Sequence, residues 1–118
     1  MNVEALQQIL RDFAGARDWN RYHSPKNIAT ALAVEAAELL ENFQWLTEEE
    51  SSRLAERPAD FEAVREEIAD VQIYLLRLAD LLNIDLEPAV LDKIRRNGEK
   101  YPVEFAKGNA LKYNRQPK

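Results

Sequence analysis

Two pairs of acidic residues stand inside helical repeats that are otherwise apolar, and their spacing could build a metal site. The first pair is Glu35 and Glu38, and the second is Glu67 and Asp70. Residues three apart lie on the same face of a helix, so each pair presents two carboxylates together. Burying a carboxylate costs free energy unless a proton or a cation compensates its charge. Two packed helices that carry these pairs are therefore predicted to share a divalent cation.

The donor atoms indicate which cation such a site would take. Carboxylate oxygens suit hard cations, so Mg²⁺ is the expected ion and Mn²⁺ the second choice. Because Mg²⁺ keeps several waters and commonly bridges to phosphates, a nucleotide or a polyphosphate is the natural substrate class. The chain has no Cys and a single His, His23. That composition argues against thiolate and multi-His sites, and against a di-iron centre built on Glu-x-x-His motifs.

Helical periodicity separates the acids that face inward from their neighbours. Glu35 is central in an apolar stripe of the second predicted helix. The other members of that stripe are Ile28, Leu32, Leu39 and Leu46. On the third predicted helix, Glu67 falls inside a broad apolar sector, whereas Glu66 points the other way, together with Glu62 and Arg77. Glu67 is therefore the predicted site residue of that helix, and Glu66 is predicted to face solvent.

The fold that must position these acids is predicted to be all-α. No stretch alternates in the way a strand does, and 3.6-residue periodicity dominates. The main helices are expected over about residues 3–14, 25–46, after Pro58 and Asp60 to about 82, and 88–100, with a short exposed helix opened by the capping-box sequence at 47–50. We expect a four-helix bundle in one domain, residues 1–106, followed by a basic tail, residues 107–118.

Composition narrows the class of partner. The chain has 118 residues, 46% hydrophobic and 31% charged, which is typical of one globular domain with one core. A net charge of −5 argues against nucleic acid as the main partner. The residues after Met1 form neither a signal peptide nor a membrane span, so a soluble cytoplasmic protein without a membrane partner is expected.

Several short segments around the acids are more specific than the acids themselves. They are Asp-Trp at 18–19, His-Ser-Pro-Lys-Asn at 23–27, Phe-Gln-Trp at 43–45, Glu-Glu-Ile-Ala-Asp-Val at 66–71, Ile-Tyr-Leu at 73–75, Lys93, Asn97 and Lys-Tyr-Pro at 100–102. In this order they resemble the MazG-like all-α nucleoside triphosphate pyrophosphohydrolases, and within them the dCTP pyrophosphatase branch. The resemblance covers about residues 5 to 105 and leaves out the tail.

The resemblance implies an activity and a site. The activity is Mg²⁺-dependent cleavage of a (deoxy)nucleoside triphosphate, dCTP or a related or modified nucleotide, to the monophosphate and pyrophosphate, in a homodimer or homotetramer. The metal ligands and catalytic residues it implies are Glu35, Glu38, Glu67 and Asp70. The substrate-binding residues it implies are Trp19, His23, Trp45 and Tyr74 around the nucleoside, and Lys93 and Asn97 near the phosphates.

A non-catalytic alternative also fits the residues. An acidic helical bundle with a broad apolar sector can serve as an oligomerisation or adaptor module, with Leu78, Leu82 and Trp45 against another chain. In that case the acids would pair with Lys93 or Arg95 across helices. The two hypotheses differ in the partner of the four carboxylates. In the enzyme it is a bound metal ion, and in the adaptor it is a Lys or Arg side chain.

Overall fold

The computed structural model describes residues 1–115, and every regular element in that range is helical, as the sequence predicts. The α-helices are α1 (Val3–Ala16), α2 (Pro25–Glu41), α3 (Glu48–Ser52), α4 (Pro58–Leu81), α5 (Leu86–Lys100) and α6 (Val103–Ala106). Single 3₁₀ turns occupy Asn20–Tyr22, Leu54–Glu56 and Tyr113–Arg115. The basic tail predicted over 107–118 includes residues 116–118, which lie outside the described residues.

Local sequence signals explain where most helices begin. The Ser24 side chain accepts a hydrogen bond from the Asn27 N–H at 3.1 Å, and Pro25 occupies the first position of α2. Pro58 plays the same part in α4. The predicted capping box is present, since Thr47 and Glu50 exchange side-chain to backbone hydrogen bonds at the start of α3.

By its internal contacts the chain divides into two compact units, Met1–Asn83 and Ile84–Lys118. In the first unit α4 is the central element, because both α2 and α1 pack against it and the 3₁₀ turn Leu54–Glu56 also touches it. The buried apolar side chains of this unit are Ala14, Ile28, Leu54, Val64, Leu76 and Ala79. The packing of α2 on α4 is what brings the two acidic pairs onto adjoining helices.

The second unit carries α5, α6 and the last 3₁₀ turn. In this unit the Tyr101 hydroxyl accepts a hydrogen bond from the Tyr113 N–H at 3.1 Å, and the two rings meet edge to face. The Lys100 ammonium lies over the Tyr113 ring, 5.0 Å from its centroid. These contacts hold residues beyond Pro102 against the end of α5.

Two predicted boundaries were wrong. The second helix ends at Glu41 rather than near Leu46, and residues 42–45 form turns. Asn42 is the C-cap: its side-chain amide donates to the Glu38 carbonyl, and the next backbone bonds return to Leu40. The fourth main helix begins at Leu86, two residues before Pro88, because proline is tolerated anywhere in a first turn where its missing N–H is not needed.

Within residues 1–115, none of the helices combines the length and the apolar character needed to cross a lipid bilayer.

Candidate metal centre and the adjoining loop

Three of the four predicted acids meet where α2 packs on α4. Glu35, Glu38 and Glu67 each offer a carboxylate oxygen, and these oxygens all lie within 4.8 Å of one another. Glu35 and Glu38 project from successive turns of α2, and Glu67 comes from the middle of α4. Like charges at such distances repel unless something positive lies between them.

Two carboxylate oxygens of these residues are buried and have no hydrogen-bond partner. They are Oε2 of Glu35 and Oε2 of Glu67. Two ionised carboxylates have no proton to donate to each other, so their proximity does not satisfy either oxygen. Such orphaned buried acceptors are rare in folded proteins and call for an explanation. An ion bound between the two helices would supply the missing partner for both.

The electrostatics of the trio favour a cation in the same way. The pKa of Glu35 is raised, first because a proton on it would be shared with the Glu67 carboxyl group, and next because of burial. The pKa of Glu38 is raised chiefly by its contact with Glu35 and by the charge of that neighbour. Within the unit Met1–Asn83, no basic side chain forms an ion pair with Glu35, Glu38 or Glu67. Arg95, which the adaptor alternative would pair with these acids, forms ion pairs with Asp92 and Glu99 of its own helix.

The donor set fits a hard divalent cation. It consists of carboxylate oxygens alone, from two helices of one compact unit. The periodicity argument for α4 is confirmed, since Glu67 is half-buried with an orphaned oxygen whereas Glu66 is exposed.

Asp70 and Tyr74 lie one and two turns beyond Glu67 on α4. Asp70 is not part of the close trio, but its charge contributes to raising the pKa of Glu35. The pKa of the Tyr74 hydroxyl is raised first by burial and then by the charges of Glu35 and Asp70. The negative charges of Glu35 and Asp70 therefore oppose ionisation of the Tyr74 hydroxyl.

The loop between α1 and α2 brings Trp19 and His23 together. Asp18 adopts a positive φ of 53°, and the Trp19 N–H then donates to the Ala14 carbonyl at 2.9 Å. The Trp19 ring packs edge to face on Phe13 and lies 6.2 Å from the His23 ring, centroid to centroid. With 43% of its surface exposed, Trp19 keeps area available for stacking.

Arg77 is the residue that sequence reasoning misplaced. It was expected on the solvent side of α4 with Glu66, but only 7% of its surface is exposed. Its guanidinium donates to Asn20 Oδ1 at 2.7 Å and to His23 Nδ1 at 3.3 Å, and it lies 3.7 Å from Asp80. The one signal in the sequence was the i,i+3 spacing of Arg77 and Asp80, which does not reveal partners more than fifty residues away.

The other predicted substrate residues are placed as follows. Trp45 stands in the turns after α2 and is 87% exposed. Lys93 and Asn97 are exposed and one turn apart on α5, in the second unit. Their assigned roles stay predictions.

The chain is similar in sequence to known proteins of one family. The model of the MazG-like family matches residues 30–115. The chain is 39% identical over 116 residues to dCTP pyrophosphatase 1 of Rattus norvegicus and 38% identical over 115 residues to that of Homo sapiens, covering 98% of this chain and 68% of each relative.

A solved structure, that of a pyrophosphatase from Archaeoglobus fulgidus, is 46% identical, with a TM-score of 0.79 over 86% of this chain and 94% of that chain. The family model matches most of the sequence, and the relatives and the solved structure share both sequence and fold with this chain. The chain belongs to the MazG-like family.

Proposed function

We propose that this protein is a Mg²⁺-dependent nucleoside triphosphate pyrophosphohydrolase that acts on dCTP or on a related or modified deoxynucleotide. The pair of buried oxygens without a partner, one on Glu35 and one on Glu67, carries the proposal, because they mark a place where a cation belongs. The relatives named dCTP pyrophosphatase 1 support the reaction and the nucleotide class.

The four acids would hold the cation, with Glu35, Glu38 and Glu67 closest and Asp70 beside them. A bound Mg²⁺ supplies charge neutralisation for a triphosphate and makes a water more acidic. In the reaction a water oxygen bonds to the α-phosphorus, and the α–β bridging oxygen leaves with pyrophosphate. A carboxylate of the cluster that is not bound to the cation would accept the proton of the attacking water. No covalent enzyme intermediate is required.

The nucleoside would be held by side chains around the loop and α4. Trp19 and Trp45 offer faces on which a base can stack, and His23 and Tyr74 offer polar groups. Lys93 would act as a point charge toward the phosphates, with Asn97 beside it. The assignment of these six residues comes from the family resemblance and from the exposure of Trp19 and Trp45.

We also propose the finer architecture that the resemblance implies. Residues 1–106 would form one catalytic four-helix domain, and the chain would assemble as a homodimer or homotetramer, with neither nucleic acid nor membrane as a partner. Support for self-association comes from large apolar side chains left exposed on α2 and α4 of the first unit. They are Val34, Leu40, Phe61, Ile68, Ile73 and Leu75.

The deciding experiment measures pyrophosphate release from a panel of common and modified dNTPs, with and without MgCl₂. We expect release that requires the metal and is fastest with a cytosine or modified-base nucleotide. A thermal melt with MgCl₂ and dCTP should show stabilisation. A protein that releases no pyrophosphate from any nucleotide and gains no stability from Mg²⁺ would be the adaptor module instead.

One variant pair tests the site within that assay. Glu67→Gln should fold and keep its oligomeric state but lose at least about 100-fold in kcat/KM, since loss of an outer-sphere partner alone commonly costs about 10–100-fold. Glu66→Gln is the matched control, because it removes the adjacent, exposed acid from the same helix. Wild-type turnover by Glu67→Gln would end the proposed role of this residue.

A further inference from the structure

Arg77 forms the only described bridge of side-chain hydrogen bonds between α4 and the loop that carries Trp19 and His23. Its Nη2 donates to Asn20 Oδ1 at 2.7 Å, and its Nε donates to His23 Nδ1 at 3.3 Å. Both partners come from the short segment between α1 and α2, fifty-four or more positions from Arg77 in the sequence. The segment is thus tied to the same helix that carries Glu67 and Asp70.

The charge of Arg77 is held in place on its other side by Asp80. The Arg77 Nη1 lies 3.7 Å from Asp80 Oδ2, and Arg11 Nε of α1 lies 3.5 Å from the same oxygen. The side chains of Arg77 and Asp80 are 8% and 18% exposed. A planar guanidinium with its donors committed to three partners has little freedom to move, so its Nε is aimed at the His23 ring.

The identity of the donor fixes the proton on the histidine. Arginine has donors and no acceptor, so the His23 Nδ1 must present its lone pair to Arg77. The remaining ring proton is then on Nε2, and the ring is neutral. Burial, and after it the charge of Arg77, lowers the pKa of His23, which agrees with a neutral ring at pH 7.

We propose that Arg77 is a positioning residue that holds His23 as the Nε2–H tautomer and so presents Nε2 as a hydrogen-bond donor to the bound nucleotide. The inference rests on the proposed function, in which His23 belongs to the substrate pocket. The substrate atom that receives this bond must be an acceptor, a phosphate oxygen or a base carbonyl. Arg77 itself does not touch the substrate.

The contacts of the loop explain why one arginine can set this geometry. Trp19 packs on Phe13 and its ring lies tilted at 56° to the His23 ring, so the imidazole has both a ring neighbour and the Arg77 hydrogen bond. The Asn27 side chain donates to the Tyr22 carbonyl at 2.9 Å and fixes the backbone just before His23. Without Arg77 the Nδ1 position would lose its partner, and the imidazole could rotate or change tautomer.

The first test uses the wild-type protein and needs no variant. His23 is the only histidine of the chain, so protein labelled with ¹⁵N-histidine gives the ring signals of one imidazole. Two-bond ¹H–¹⁵N correlation at pH 7.5, a value chosen about one unit above the ordinary histidine pKa, should give the pattern of a protonated Nε2 and an unprotonated Nδ1. The opposite pattern, with the proton on Nδ1, would overturn the inference.

The second test removes the guanidinium. Arg77→Met keeps the length and burial of the side chain, and we expect mixed tautomers together with a rise in the KM for the nucleotide of about 10-fold or more, with a smaller change in kcat. Arg65→Met is the matched control, because Arg65 is an exposed arginine of α4 that pairs with Glu62. It should leave tautomer, KM and kcat unchanged.

The outcomes separate the inference from the proposed function. Folded Arg77→Met with the wild-type tautomer and the wild-type KM contradicts the role of Arg77, while pyrophosphate release by the wild type still stands. If the wild type releases no pyrophosphate, the proposed function is contradicted. The ¹⁵N spectrum still reports whether the Arg77–His23 hydrogen bond sets the tautomer. Should Arg77→Met not fold, Arg77→Gln keeps a polar side chain that can accept as well as donate, so the same loss of the Nε2–H pattern and rise in KM is expected.

Discussion

Glu35 lowers the stability of the metal-free fold while it contributes a ligand to the candidate metal site. Its Oε2 is buried without a partner beside Glu67, and its pKa is raised by that carboxyl group and by burial. A neutral amide at this position would remove one charge from the trio and could donate a hydrogen bond to Glu67. An unsatisfied buried group costs about 1–3 kcal/mol, so the cluster weakens the metal-free fold.

The Glu35→Gln variant should therefore be more stable than the wild type in EDTA, by about 1 kcal/mol or more. It should also lose most of the stabilisation that MgCl₂ gives the wild type, because a ligand is gone. Unfolding by urea, with and without the metal, measures both effects. A Glu35→Gln protein that is less stable without metal, or that gains as much from Mg²⁺ as the wild type, would contradict this account of the cluster.

Residue-scale reasoning from the sequence reached Glu35 and Glu67 but not Arg77. An acid inside an apolar stripe is visible from periodicity, because the violated position is itself the signal. Arg77 lies on the side of α4 opposite the apolar sector, with Glu66, and periodicity alone assigns that side to solvent. What turns it inward is Asn20 and His23, whose proximity depends on how α1 and α4 pack. Periodicity within one helix carries no information about that packing.

At the scale of elements, the predicted helix boundaries were accurate where a local capping signal was strong. The N-caps Ser24 and Thr47 were predicted correctly. Each capping hydrogen bond joins residues only three apart, so its sequence signal is local. The end of α2 was predicted too late, because apolar residues recur at helical spacing through Leu46. The Asn42 side chain and backbone bonds to Leu40 already tighten the chain into turns before that point. Helix ends without glycine or proline depend on such competition.

The capping box of α3 gives an element-scale prediction. The Thr47 N–H, followed by the Thr47 hydroxyl, lowers the pKa of Glu50 below its ordinary value of 4.5, and Glu50 also pairs with Arg57 at the start of α4. A lowered folded pKa means that the ionised Glu50 stabilises the fold above the unfolded pKa. That contribution is lost as pH falls through the folded pKa.

Two variants separate the parts of this box. Thr47→Ala should cost about 1 kcal/mol at pH 7, the usual price of a lost N-cap. Glu50→Gln should destabilise at pH 7 and approach the wild type below pH 4.5, whereas Glu49→Gln, which removes the neighbouring acid outside the box, serves as the control. Urea unfolding at several pH values measures this, and a Glu50→Gln effect that does not shrink in acid would show that the charge plays no part.

At the scale of the whole molecule, the sequence predicted the all-α class and the family. It did so because six short segments and two acidic pairs occur in one order over most of the chain. Such an arrangement is specific, whereas any single Glu-x-x-Glu is common. Periodicity gave no comparable information about assembly. An apolar side chain that packs against a second subunit has the same spacing as one that packs in the subunit's own core.

Exposed apolar residues supply the last prediction. Leu40 on α2 and Ile68 on α4 are 62% and 55% exposed, and both stand close in sequence to acids of the site. If the protein assembles with copies of itself, such faces are what the assembly buries. Analytical ultracentrifugation should find a dimer or tetramer, and Leu40→Glu or Ile68→Glu should shift it toward monomer, because a buried charge without a partner opposes association. Glu41→Gln, an exposed change beside Leu40, should leave the mass unchanged. A wild type that sediments as a monomer at all concentrations would mean that these faces serve another purpose.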